Sequence, residues 1–353
     1  MEDYIEYFDY LIKKYLKRYD VITKKSIDDI LAVHNDLHLI KIIDGKLYFS
    51  GNWNPNNLIW ETRREALKYI LLSVLKKYTL PDCEFVIVYN ADGINMSYRI
   101  PENLPVIIST SCLESMNYIL CPDFTFAFSP EYNYKNHESM CDEIINYASS
   151  IPFVNKQDKL IWRGTANNKY RTKYLRVDNV YDVRNIEATT KNLGSESNTF
   201  ALAHAISRKD KVQYKYHLHL NGHLGGDRDG AYSSALKWGF AAESLVFYCA
   251  PVIYKEFWMD DNYFTPGVHY IYCLHETELD KKLKYYKENQ EEAASIAANG
   301  HIFFKKYLWK SDGIIYYMYK LLAEYARLMN YKPTLDSRDT LITEIAYSQY
   351  LNT

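Results

Sequence analysis

Residues 160–175 read LIWRGTANNKYRTKYL. An apolar pair and an aromatic lead into Arg163-Gly164-Thr165, a polar turn follows, and Arg171 falls in the first turns of a predicted helix. Strand, tight turn and helix together aim backbone N–H groups and the positive end of a helix dipole at one point. Arg163 and Arg171 add two permanent, fork-shaped charges. Such a place suits a diphosphate. A strand edge carrying two solvated arginines is the plain alternative.

Working outward, Ile151 to Lys159 (IPFVNKQDK) reads as a linker. Before it, Glu61 to Tyr78 has helical spacing, and Phe85 to Tyr89 and Val106 to Ser109 are continuously apolar, the mark of strands buried on both faces. Asp123 to Phe128 is a third strand candidate, and IIDGKLYFSG reads as a hairpin around Asp44-Gly45. After the linker, Val180 to Val183 reads as a strand and Thr199 to Ser207 as a helix. Val212 to Leu220 alternates strictly, setting Tyr214, Tyr216, Leu218 and Leu220 on one face and His217 and His219 on an exposed one. The strand Leu245 to Tyr248 and a helical tract from Asp280 to Tyr307, interrupted near Asn299-Gly300, follow. Helices alternating with buried strands predict an α/β layered protein. The expected division is 1–155, 156–310 and closing helices over 311–353.

The 353 residues suffice for two domains, and 48% hydrophobic content gives a real core. A net charge of −2 argues against a partner that is nucleic acid. The six cysteines, at 83, 112, 121, 141, 249 and 273, show no CxxC and no zinc spacing. The start of the chain is an amphipathic helix pattern rather than a signal peptide, and no apolar run is long enough to span a bilayer. A soluble, cytoplasmic protein is expected.

Taken in order, the pieces resemble glycosyltransferase family 90, the protein O-glucosyltransferase (Rumi), capsule-associated and lipopolysaccharide-modifying group. LPDCEFVIVYNAD resembles its strand ending in a catalytic aspartate, and LPVIISTSCLESMNYILCPDFTF its next landmark. LIWRGTANNKYRTKYL is similar to its aromatic-Arg-Gly-Ser/Thr motif with a trailing arginine. YKYHLHLNG, AYSSALKWGFAAESLVFY, YKEFW and GVHYIYC resemble the later elements. The resemblance spans about residues 80–330, and residues 1–79 match nothing in it.

The resemblance implies the GT-B fold, two Rossmann-like domains facing a cleft, with a C-terminal helix packing back toward the N-terminal domain. It implies inverting transfer of glucose or xylose from a UDP-sugar to a hydroxyl of a glycan or protein, with no metal and no other cofactor. Asp92 is then the catalytic base. Counted without gaps the family's aspartate would fall on Ala91, so one inserted residue is needed. Arg163, Gly164, Thr165, Arg171, Gly222, Ser233, Ser234, Lys237, Ser244 and Glu256 are the candidate donor-binding residues, Glu256 for the ribose. Ala235 stands where many members carry an arginine, and Lys237 or Arg228 would take over that charge. A UDP-sugar-binding pseudoenzyme is one alternative. A Mn²⁺-dependent transferase using the D-x-D pair Asp227 and Asp229 is another, and His217, His219 and His223 are a further candidate metal set. Lacking the signals and disulfides of the family's secretory members, the chain is expected to be a microbial or viral one.

Overall fold

The amphipathic start folds as α1 (Ile5–Leu16), which buries Tyr7, Phe8, Leu11, Ile12 and Tyr15 along one side. The structure, a computed structural model, describes residues 4–33, 37–51, 58–88, 104–111, 118–128, 136–166, 169–186, 202–203, 206–223, 229–231, 233 and 235–345. After α2 (Lys24–Val33), β1 (His38–Ile43) and β2 (Lys46–Ser50) form an antiparallel hairpin. Its turn holds Asp44 at φ 49° and Gly45 at φ 68°, the left-handed pair that the right-handed twist of a two-residue hairpin demands. The helix α3 (Leu58–Lys77) stops before Leu80-Pro81. β3 (Cys83–Val88) is buried at every position and pairs in parallel with β4 (Val106–Ile108). The short β5 (Thr110–Ser111) precedes β6 (Ile119–Leu120), which adds the next parallel strand. The strand expected at 123–128 is not formed. Asp123 accepts from the Thr125 N–H at 3.1 Å and from its hydroxyl at 2.6 Å, and this local capping turns Phe124–Phe126 into a 3₁₀ turn.

The next stretch contains α4 (His137–Ser149), β7 (Gln157–Gly164), α5 (Lys169–Thr172), β8 (Arg176–Val177), β9 (Tyr181–Ile186) and β10 (Leu202–Ala203). It continues through α6 (Arg208–Val212), β11 (Tyr214–Leu220), β12 (Gly222–His223), β13 (Asp229–Ala231), α7 (Leu236–Ala241) and β14 (Leu245–Cys249). β15 (Lys255–Glu256) pairs antiparallel with β5. β16 (Ile271–Cys273), α8 (Glu276–Glu288) and α9 (Gln290–Tyr307) follow. The sheet order is β10-β9-β7-β11-β14-β16, every neighbouring pair on this path parallel, with β8 antiparallel on β9. Renumbered along the chain, these six strands stand in the order 3-2-1-4-5-6, a Rossmann-type arrangement that reverses direction between β7 and β11.

Three expectations change in this region. Leu202–Ala203 is a strand beside β9 rather than part of a helix, because this edge of the sheet offers a parallel partner. β11 lies between β7 and β14, so His217 and His219 are buried rather than exposed. The long helical tract breaks at Asn289, which stands at φ −117° and ψ 65°, while Gly300 sits inside α9.

The chain closes with α10 (Ser311–Leu328) and β17 (Asp339–Ile342), the latter pairing antiparallel with β2. Tyr317 of α10 meets Phe8 of α1 edge-on at 5.3 Å, and Tyr316 donates to Asp9 at 2.9 Å. A buried Lys41 ammonium ties the tail down through Asp339 at 2.8 Å and the Thr334 carbonyl at 2.9 Å. The resulting sheet, β17-β2-β1-β3-β4-β6, is parallel only from β3 to β6, so this half is a mixed sheet rather than a wholly parallel one. Two compact units result. One comprises 1–138, 254–259 and 310–353, the other 139–253 and 260–309. The stretch read as a linker lies inside the second unit, where Phe153–Asn155 is a 3₁₀ turn and β7 begins at Gln157.

Candidate functional site

In an open parallel sheet, ligands bind outside the carboxyl ends of the strands where the strand order reverses. In the second unit that place is the end of β7, at Gly164 and Thr165, and the end of β11, at Asn221 and Gly222. Arg171 spans the two. Its Nε donates to the Asn221 carbonyl and its Nη1 to the Thr165 carbonyl, both at 2.7 Å. Its guanidinium lies 5.7 Å from the Trp162 ring, within aromatic–cation reach. The loop is held from the other side by Asn185, whose side-chain oxygen accepts from the Ala166 N–H at 2.9 Å. Gly164 is required by Trp162 itself: a Cβ there would stand 2.6 Å from the ring. The helix that follows is one turn of four residues, too short for a helix macrodipole to add much.

The two arginines of the opening motif have different surroundings. Arg163, expected to face a diphosphate, is engaged instead by Asp182, with Nη2 at 2.7 Å from the carboxylate and Nη1 at 2.6 Å from the Asp182 carbonyl. Burial alone would raise the Asp182 pKa, but the bonds from Arg163 and Arg184 bring it below the ordinary carboxylate value. The Arg163 charge is therefore met inside the protein.

His219 lies on the neighbouring strand with its ring edge-on to Tyr248 at 4.7 Å. Burial first, and then the fields of Arg171, Lys211 and Lys237, press its pKa down to about 3. The imidazole is neutral, chiefly because it is buried. His217, whose Nε2 meets the Lys211 carbonyl at 3.0 Å, is held well below its usual pKa by burial and by Lys211 and Lys156. Lys237, in α7, is fully buried with its ammonium 5.7 Å from the Trp238 ring.

Other candidates are distributed differently. Ser244 sits before β14, at the amino end of the strands, roughly 16 Å of strand away from the carboxyl edge. Its hydroxyl donates to the Tyr214 carbonyl at 2.8 Å and accepts from Lys156 at 3.3 Å, which makes it a structural group rather than a donor contact. Glu256 is buried in β15, paired in register with Thr110 of the first unit. Ser233 is half-buried, and Gly222 pairs with Ala231 across β12 and β13. Asp92, Ala91, Asp227, Arg228 and Ser234 lie outside the described residues, as do the side chains of Asp229 and His223. Among the described residues no three His, Cys, Asp or Glu side chains are grouped to hold a metal ion, and no helix is long and apolar enough to cross a membrane. Sequence reading missed Asn185 and Asn221. The Asn221-Gly222 pair at a strand end was the available signal.

The model of the family described as glycosyl transferase family 90 matches residues 3–349. The chain belongs to that glycosyltransferase family, and the match takes in residues 3–79, where the sequence carries none of the motifs named above. It is 27% identical over 305 residues to O-glucosyltransferase rumi of Drosophila melanogaster, covering 81% of this chain and 70% of that protein. It is 26% identical to protein O-glucosyltransferase 2 of Danio rerio (74% and 51%) and 25% identical to O-glucosyltransferase LpsA of Dichelobacter nodosus (43% and 45%). Among solved structures, Anabaena HepE in complex with UDP aligns at a TM-score of 0.40 with 10% identity, over 74% of this chain and 77% of that one.

Proposed function

We propose that this chain is an inverting, metal-independent transferase of GT-B architecture that moves glucose or xylose from a UDP-sugar to a hydroxyl of a glycan or protein. The observation that carries this reading is Arg171 joining the carbonyls of Thr165 and Asn221 at the point where the strand order reverses. Relatives named as O-glucosyltransferases support glucose as the sugar. In this reading the acceptor oxygen attacks the anomeric carbon from the face opposite the diphosphate. Asp92 takes the hydroxyl proton as the new C–O bond forms, and the bond to UDP breaks. Arg171, with Lys237, meets the charge that develops on the leaving diphosphate. Arg163 holds the β7–β9 edge through Asp182 and contributes indirectly.

Two measurements test it. Arg171→Ala is expected to weaken UDP binding by tenfold or more, about 1.4 kcal/mol or above, and calorimetry showing unchanged affinity would remove this site. Asp92→Asn is expected to cut turnover about 10²–10⁴-fold with UDP affinity kept, and unchanged turnover would reassign the base. The wild-type chain is expected to hydrolyse a UDP-sugar slowly and to do so in EDTA. No turnover with any donor or acceptor favours a pseudoenzyme, for which the shift from Ala91 to Asp92 and the Ala235 departure speak. Loss in EDTA with rescue by Mn²⁺ favours Asp227 and Asp229.

A further inference from the structure

Asn221 has no exposure to solvent, yet each polar group of its amide has a partner. Its side-chain oxygen accepts from the Tyr248 hydroxyl at 2.8 Å, and its side-chain nitrogen donates to the Val252 carbonyl at 2.8 Å. Its backbone carbonyl is the one that receives Arg171 Nε at 2.7 Å. Tyr170, beside Arg171, donates to the Cys249 carbonyl. The ends of β7, β11 and β14 are thus tied together by two tyrosines, one amide and one guanidinium. A buried amide satisfied on both sides has one low-energy orientation, and so has the peptide attached to it.

We infer that Asn221, locked by Tyr248, is a positioning residue for donor binding: it fixes the carbonyl that aims Arg171 at the diphosphate. The inference rests on the reading of Arg171 given under Proposed function. Asn221 does not touch the donor. It acts through the direction it gives to a guanidinium that does, and a fork misaligned by a few tenths of an ångström loses the bidentate geometry on which phosphate recognition depends.

The test uses the full chain and UDP as the probe. Asn221→Ala and Tyr248→Phe are each expected to lower UDP affinity about tenfold. Added to Arg171→Ala, neither is expected to lower it further, because the residue they position is already gone. Thermal melts of all variants report folding separately. Variants that melt lower but bind UDP as tightly as wild type overturn the inference, since that is what a merely structural amide would do. Losses that add to that of Arg171→Ala overturn it too. Wild-type affinity in Arg171→Ala alone would instead remove the donor-site reading beneath it.

Discussion

Trp162 and Gly164 show how one side chain dictates its neighbour but one. The ring occupies the space a Cβ would need at 164, at 2.6 Å, and the same ring lies 5.7 Å from the Arg171 guanidinium. Gly164→Ala is therefore expected to displace the ring and, with it, the fork. UDP affinity measured by calorimetry should fall, and affinity equal to wild type would show that the ring does not direct the fork. At the same scale, His217 and His219 are neutral in the folded protein because both pKa values are depressed. A depressed pKa contributes stability that is present above the unfolded value of about 6.5 and is lost as pH falls. Between about pH 6.5 and 3, His219 should add a slope of up to about 1.4 kcal/mol per pH unit, visible in denaturant melts. His219→Phe, which keeps the edge-on contact with Tyr248, should flatten that part of the curve. The strand and tight turn that carry Arg171 were legible in the sequence because an apolar run ending in Arg-Gly-Thr marks both. The pairing of Arg163 with Asp182 was not, since the partner comes from a different strand and nothing local announces it.

At the scale of elements, periodicity located the helices and buried strands well and their ends less so. The apolar runs at 85–89 and 106–109 became β3 and β4, because a strand buried on both faces has no polar alternation to mislead the reader. Gly300 misled. It reads as a break, but α9 runs through it, and what the position needs is the missing Cβ, which would stand 2.7 Å from the His269 carbonyl and 2.9 Å from the Phe240 ring. Backbone cannot yield as a side-chain tip can. Gly300→Ala is expected to destabilise the second unit by about 1–3 kcal/mol despite alanine's better helix propensity, and a melting temperature equal to or above wild type would contradict this packing. The real break, Asn289, carries no proline or glycine, so composition alone could not mark it. The alternation of β11 correctly separated its tyrosine and histidine faces. Which face met water was not a property of the strand but of its central place between β7 and β14.

For the whole molecule, the family was legible because several motifs kept one order, whereas the division into units was not, since it joins distant parts of the chain. The buried ammonium of Lys41 shows what holds one such junction. Burial alone would raise the Asp339 pKa, but the bond from Lys41 leads a set of interactions that lowers it. The sign follows: Asp339 contributes stability above the unfolded carboxylate value of about 3.9, lost as pH falls through the lower folded value. Asp339→Asn leaves the ammonium with the Thr334 carbonyl and Asp336. Glu84 also stays 3.9 Å away, so a loss of about 1.5–3 kcal/mol is expected, the range for a hydrogen bond to a charged group, and a denaturation midpoint unchanged from wild type would show that this bond does not hold the tail.

That junction also sets an order of events during synthesis. The strand that borders β2 and the helix that meets α1 are encoded after residue 309, whereas the 3-2-1-4-5-6 sheet is finished before it. On the ribosome, the half begun first must wait with an unprotected strand edge while the half begun second folds, so a nascent chain stalled near Trp309 should be the species that chaperones grip.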